Sequence, residues 1–199
     1  RSRRQRQMCI RDRFLLNAGH SLKSAVFRMF KHVWENEKRP TQWKLTEILQ
    51  LFKGRGDLDD LNNYRHIHLK DYLPKAFETG MVDRSKYKIV KACSKYQIGA
   101  MPGHQSQEHL FTLKSTISLY SMLGMSLIIQ FWDISKFFDK ESLRDAMDSL
   151  YKAGIHGKLY RLWFEMNNKN IIKVRTGVGI SQARETCENI GQGTIGGAL

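Results

Sequence analysis

An aspartate closes an apolar run: Leu127-Ile128-Ile129-Gln130-Phe131-Trp132 leads directly into Asp133. A carboxylate delivered to the end of a buried strand is where a metal-dependent active site starts, because oxygen ligands are what a hard cation such as Mg²⁺ takes. The length of the run and its β-branched, aromatic content predict a strand buried on both faces rather than a helix. Further along, Gly191-Gln192-Gly193-Thr194-Ile195-Gly196-Gly197 is a glycine-dense turn at which backbone can approach a nucleotide closely. Taken alone, Asp133 also suits a strand-end cap or a pair with Lys136, and the glycines also suit a turn that opens a helix and needs positive φ.

The elements that must hold these residues follow from periodicity. Leu22, Val26, Met29, Phe30 and Val33 recur at helical spacing, which predicts an amphipathic helix from about His20 that ends before Pro40. Trp43 to Phe52 reads as a strand, Gly54-Arg55-Gly56-Asp57 as a turn, and Tyr64 to Leu69 as the partner strand, together a basic hairpin. Helices are predicted over 72–92 and 106–123, the second with Leu110, Leu113, Ile117 and Tyr120 on its inner face. After Asp133, Asp139 is the expected cap of a helix whose inner face is Leu143, Ala146, Met147, Leu150 and Ala153, closed by Gly154. A helix near Lys158 to Asn168 and strands at 170–176 and 184–190 complete the pattern. The fold class expected is α+β, with helices packed on one face of an antiparallel sheet.

Composition narrows the function classes. With 199 residues, 41% hydrophobic and 26% charged, the chain can bury one substantial core, as one domain or one and a partial second. Its net charge of +14 is concentrated in part at Arg1 to Arg13, where six arginines face one aspartate. Setting that stretch aside leaves 27 basic against 18 acidic residues, still +9. A body this basic fits a polyanion partner bound through phosphate contacts, although a merely solvated basic surface has the same composition. The arginine-rich start lacks apolar periodicity and is read as a tail outside the fold, either non-native or a nucleic-acid-binding arm. No secretory signal and no run of about 18 apolar residues is visible, so no membrane partner is expected and the location expected is intracellular, nuclear or cytoplasmic. Cys9, Cys93 and Cys187 are odd in number and scattered, which argues for reduced thiols over a disulfide framework or a zinc site. His66 and His68 alternate along a strand, but two ligands do not make a zinc site.

Asp133 and the glycine turn, in this order, resemble the palm of a reverse transcriptase, most closely the type of non-LTR retrotransposons. Lys53-Gly54-Arg55-Gly56-Asp57 and Asn62-Asn63-Tyr64-Arg65-His66-Ile67-His68-Leu69 resemble the family's fingers turn and its asparagine-tyrosine-arginine-proline-isoleucine motif, with His66 in place of the proline. Gln97-Ile98-Gly99-Ala100-Met101-Pro102-Gly103-His104 and Glu108-His109-Leu110-Phe111-Thr112-Leu113 are similar to its glycine-rich stretch and following helix, with Ala100 where an aromatic is commoner. The resemblance covers roughly residues 40 to 199, and five motifs in order make it more specific than any one. It divides the chain into a tail (1–13), a connector helix (14–40), a fingers-like region (41–125) and a partial palm (126–199) that stops before the family's Asp-Asp hairpin.

The resemblance implies an RNA-directed DNA polymerase, a nucleotidyltransferase with RNA template, DNA primer and dNTP as partners and Mg²⁺, or Mn²⁺, as cofactor. A primer 3′-hydroxyl would attack the dNTP α-phosphate and pyrophosphate would leave, with catalysis by positioning and electrostatics. Asp133 would bind both ions and the Ile134 carbonyl would complete one shell. Lys53 and Arg65 would hold the triphosphate, since ammonium acts as a point charge and guanidinium forks phosphate. Arg55 would assist them or contact template. Phe138 would close the pocket to a 2′-hydroxyl, or else pack in the core beside Phe137, which stands where alanine is more usual. Gln192 and Gly193 would line the nascent base pair, and Gly196 and Gly197 would let the next helix approach the template. Asp139 is read as a helix cap rather than a ligand.

Two ions held about 3.5–4 Å apart need more than one carboxylate. The family's two further aspartates, on an aromatic-x-Asp-Asp hairpin, have no counterpart after Asp148. The chain is therefore expected to be an incomplete, inactive piece of the enzyme, or alternatively a non-catalytic basic nucleic-acid-binding relic of a retroelement. Arg55-Gly56-Asp57 spells an adhesion tripeptide, a short string that recurs by chance.

Overall fold

Phe30, Trp43 and Phe77 form an aromatic triangle, with ring centroids 6.0, 5.5 and 5.6 Å apart, and the elements that carry them assemble around it. A computed structural model describes residues 17–99, 101, 103–133, 142–177 and 179–186. Among them are five α-helices and one four-stranded sheet.

Helix α1 spans His20–Asn36. Its second half packs: Val33 is fully buried, and Met29, Phe30 and Trp34 lie against the same cluster, the spacing of an apolar stripe on a helix. Glu37 adopts the left-handed region at φ 55° and ends the helix ahead of Pro40, as predicted. A 3₁₀ turn, Thr41–Lys44, places Trp43 in the core and precedes strand β1, Leu45–Phe52. Strand β2, Tyr64–Leu69, returns antiparallel to β1, with Leu51 opposite Arg65 and Gln50 opposite His66.

Helix α2, Tyr72–Ala92, and helix α3, Ser106–Met122, occupy the predicted spans. Pro74, Phe77, Glu78, Met81, Ser85 and Ile89 form the buried stripe of α2. The expected inner face of α3 is corrected: no residue of this helix is buried, and Leu110 and Ile117 are 55% and 44% exposed. A regular apolar spacing is buried only where another element packs along it.

Helix α4, Leu143–Lys152, is capped by Ser142 and not by Asp139, which lies outside the described residues. The Ser142 hydroxyl accepts from the Asp145 backbone N–H at 3.1 Å and donates to its carboxylate at 2.6 Å. Gly154, at φ +86°, closes the helix as predicted. Its N–H donates to Tyr151 O and the Ile155 N–H to Leu150 O, the paired bonds of a Schellman motif, with Ile155 fully buried beyond it. Helix α5, Gly157–Asn167, contributes Leu162, Trp163 and Met166 to the core.

Strand β3, Asn170–Arg175, pairs parallel to β1, with Leu45 beside Ile171, and β4, Arg184–Thr186, pairs antiparallel to β3. The order is β2-β1-β3-β4. The sheet is thus mixed, correcting the antiparallel expectation, because the helices between β2 and β3 return the chain to the end of the sheet where β1 begins. The α+β class stands. Thr46 and Ile48 of β1 are buried, whereas Leu45 and Leu51, on the alternate face, are 37% and 39% exposed.

The strand expected at Leu127–Trp132 is also corrected. Residues 125–133 carry no strand pairing, and Ile128, Phe131 and Trp132 are 94%, 81% and 84% exposed. Strand-like composition supplies only half of a strand, and backbone hydrogen bonds to a neighbour supply the other half. Both sides of β1 are already taken by β2 and β3.

Candidate nucleotide-binding hairpin

Two of the sequence-derived site residues meet on the β1–β2 hairpin. The ladder continues past Phe52–Tyr64 with the Lys53 N–H donating to Asn63 O at 2.8 Å. Because side chains alternate along a strand, Leu51 and Lys53 share a face, and Arg65, opposite Leu51, joins them there as a diagonal neighbour of Lys53. Both basic side chains are exposed. The Lys53 ammonium donates to Asn62 O at 2.7 Å, so it braces the turn and must swing from that carbonyl to meet a ligand. Its flexible stem allows this.

The turn between the strands is wired by its own polar side chains. Asp57 Oδ1 accepts from the Asp59 N–H, and Asp60 Oδ1 from the Asn62 N–H. Asn63 Nδ2 donates to Asp57 O at 2.8 Å and Tyr64 Oη to Leu58 O at 2.9 Å. Gly56 is required twice over: its φ is +84°, and an added Cβ would fall 2.4 Å from Asn63 Nδ2. Arg55 is carried on this turn, exposed, between Gly54 and Gly56.

Asp133 is not part of the hairpin. It is exposed, follows the unpaired 125–132 segment, and makes no ion pair with Lys53 or Arg65 among the described residues. Its carboxylate is the right kind of donor for a hard cation, but no group of three His, Cys, Asp or Glu side chains converges anywhere among the described residues. One carboxylate fits one corner of a two-ion centre and does not hold the ions by itself. Ile134, Phe137, Phe138, Gln192, Gly193, Gly196 and Gly197 lie outside the described residues, as do the basic tail, Cys9 and Cys187.

Three polar clusters in the fold were not singled out from sequence. Lys70, just past β2, donates to Glu78 of α2 at 2.7 Å, with side chains 2% and 1% exposed. Arg39 is buried between α1 and the end of α5, where its guanidinium donates to Met166 O and Asn170 Oδ1 at 2.7 Å and also to Asn168 O, so it caps the last carbonyls of the helix. Burial lowers its pKa to about 10 against the opposing pull of Glu165 and Glu78, which still leaves it charged at neutral pH. Trp163 Nε1 donates to Ser85 Oγ at 3.0 Å. The available signal was polar residues interrupting an apolar stripe, as Glu78 and Ser85 do in α2.

No helix among the described residues is long and apolar enough to cross a membrane. No protein-family model matches the chain, and a search of curated proteins finds no match.

Proposed function

We propose that this chain is the fingers and first half of the palm of an RNA-directed DNA polymerase of the non-LTR retrotransposon type. The observation that carries the reading is the β1–β2 hairpin, on which the two basic residues of the resemblance, Lys53 and Arg65, share one face beside a glycine turn. That arrangement suits a triphosphate, because a forked guanidinium and a mobile ammonium can engage separate phosphate oxygens. The net charge of +9 that remains without the arginine-rich start suits a template and primer.

In this reading Arg65 and Lys53 hold the dNTP, Arg55 reaches the triphosphate or the template, and Asp133 supplies one carboxylate at the reacting centre. Mg²⁺, when bound, neutralises charge on the reacting phosphate oxygens. A two-ion centre would need further carboxylates, which the resemblance assigns to an Asp-Asp hairpin. Phe138 screens the sugar, and Gln192 and Gly193 support the new base pair.

The test is primer extension on an RNA template by the open reading frame that contains this chain, beside its Asp133→Ala variant. Incorporation of dNTPs that the variant abolishes is the expected result. Salt-sensitive template binding without incorporation, unchanged in the variant, would overturn the polymerase reading in favour of a non-catalytic nucleic-acid-binding relic.

A further inference from the structure

Opposite the buried stripe of α2 lies a face of exposed residues. At 100° per residue, Lys86, Tyr87, Val90 and Lys91 point away from Met81, Ser85 and Ile89. Tyr87 is 76% exposed, and Tyr96, in the turn after the helix, is 75% exposed. Both rings are open to water, as the faces of a stacking platform must be. Between residues 79 and 96 there are five basic side chains and one acidic one, Asp83. Two of the five are engaged within the fold: Arg84 lies over the Trp34 ring, and Lys88 donates to Gly154 O. Lys86 and Lys91 make no ion pair among the described residues, and Lys95 lies over the Tyr96 ring at 5.1 Å.

We propose that this face of α2 and the turn beyond it form a second nucleic-acid-binding surface, which takes single-stranded RNA by stacking bases on Tyr87 and Tyr96 while Lys86, Lys91 and Lys95 contact phosphates. Each half of that chemistry answers one half of the patch. Exposed lysines match a polyanion, and open phenol rings match the π-faces that only an unpaired strand exposes. An anionic membrane would use the lysines, but the face has one aliphatic side chain, Val90, and no apolar wedge to insert. The surface lies on α2 rather than on the hairpin: Tyr87 is fifteen residues past Tyr72, or ~22 Å along the helix from its β2 end. The choice of RNA over DNA rests on the RNA-templated reading above; the stacking and charge argument does not.

The experiment is fluorescence anisotropy of a labelled oligo(U) titrated with the chain at several salt concentrations. Lys86→Ala/Lys91→Ala/Lys95→Ala is expected to weaken binding and to reduce the slope of log K against log salt by about 2. Tyr87→Ala/Tyr96→Ala is expected to weaken binding roughly tenfold or more with the slope unchanged, and Tyr87→Phe/Tyr96→Phe to bind as the parent does. Parent-like binding by the alanine variants overturns the proposal, as does equal loss in the phenylalanine pair, which would assign the effect to the hydroxyls. Tyrosine-dependent binding to phosphatidylserine vesicles in preference to oligo(U) overturns it in favour of a membrane, and tighter binding of oligo(dT) overturns the choice of RNA. Lys53→Ala/Arg65→Ala separates the two readings: in the open reading frame it loses dNTP incorporation, while in the chain oligo(U) binding at α2 stays intact.

Discussion

Lys70 and Glu78 face each other at 2.7 Å with almost no exposure to solvent, tying the end of β2 to the first turns of α2. Each ion is tolerable there only because of the other. Glu78→Ala is expected to destabilise the fold by about 3–5 kcal/mol, since it strands a buried ammonium. Glu78 Oε2 has no hydrogen-bond partner among the described residues, so the pair itself is imperfectly satisfied. Lys70→Met/Glu78→Leu is therefore expected to recover most or all of that loss. Urea unfolding of the three chains checks both statements.

Gly56 and Gly54 both have positive φ, but only Gly56 is crowded. Gly54→Ala meets nothing within 4 Å and is expected to cost about 1 kcal/mol from backbone strain. Gly56→Ala must also displace the Asn63 side chain and its bond to Asp57 O, so a larger loss, roughly 2 kcal/mol or more, is expected. Thermal unfolding should rank parent above Gly54→Ala above Gly56→Ala.

Glu37 and Arg161 join the end of α1 to α5, with Arg161 Nη2 donating to Glu37 Oε1 at 2.7 Å. That hydrogen bond is the main reason the Glu37 carboxyl titrates below its usual 4.5. A depressed folded-state pKa contributes stability that is present above the unfolded value and lost as pH falls through the folded one. The stability gap between the parent and Glu37→Gln should thus be constant at neutral pH and shrink below about pH 4.5, measured as unfolding midpoints across an acid series.

Arg65→Lys retains the charge beside Lys53 and loses the fork. In the intact reading frame it is expected to raise KM for dNTP about tenfold or more while leaving template affinity nearly unchanged. An equal effect on template binding would move Arg65 from the triphosphate to the nucleic acid.

The sequence by itself determined the local elements. The helices at 72–92 and 106–122 and Gly154 as a helix stop rest on contacts within a few residues, and the hairpin of 45–52 with 64–69 on partners 12 to 22 residues apart, ranges over which periodicity and turn chemistry act. Lys53 and Arg65 were legible together for the same reason, since a hairpin's register follows from its turn. Tertiary structure decided what lies beside each element. The same apolar content that pairs β1 leaves Leu127–Trp132 without a ladder, and the same helical spacing that buries Met147 leaves Leu110 in solvent. The parallel match of β1 with β3, and the burial of Lys70, Glu78 and Arg39, likewise depend on groups up to 131 residues apart in the chain. Strand partners, buried ion pairs and covered helix faces are chosen by competition among distant surfaces for the same hydrogen bonds and the same exclusion from water, which no local pattern records.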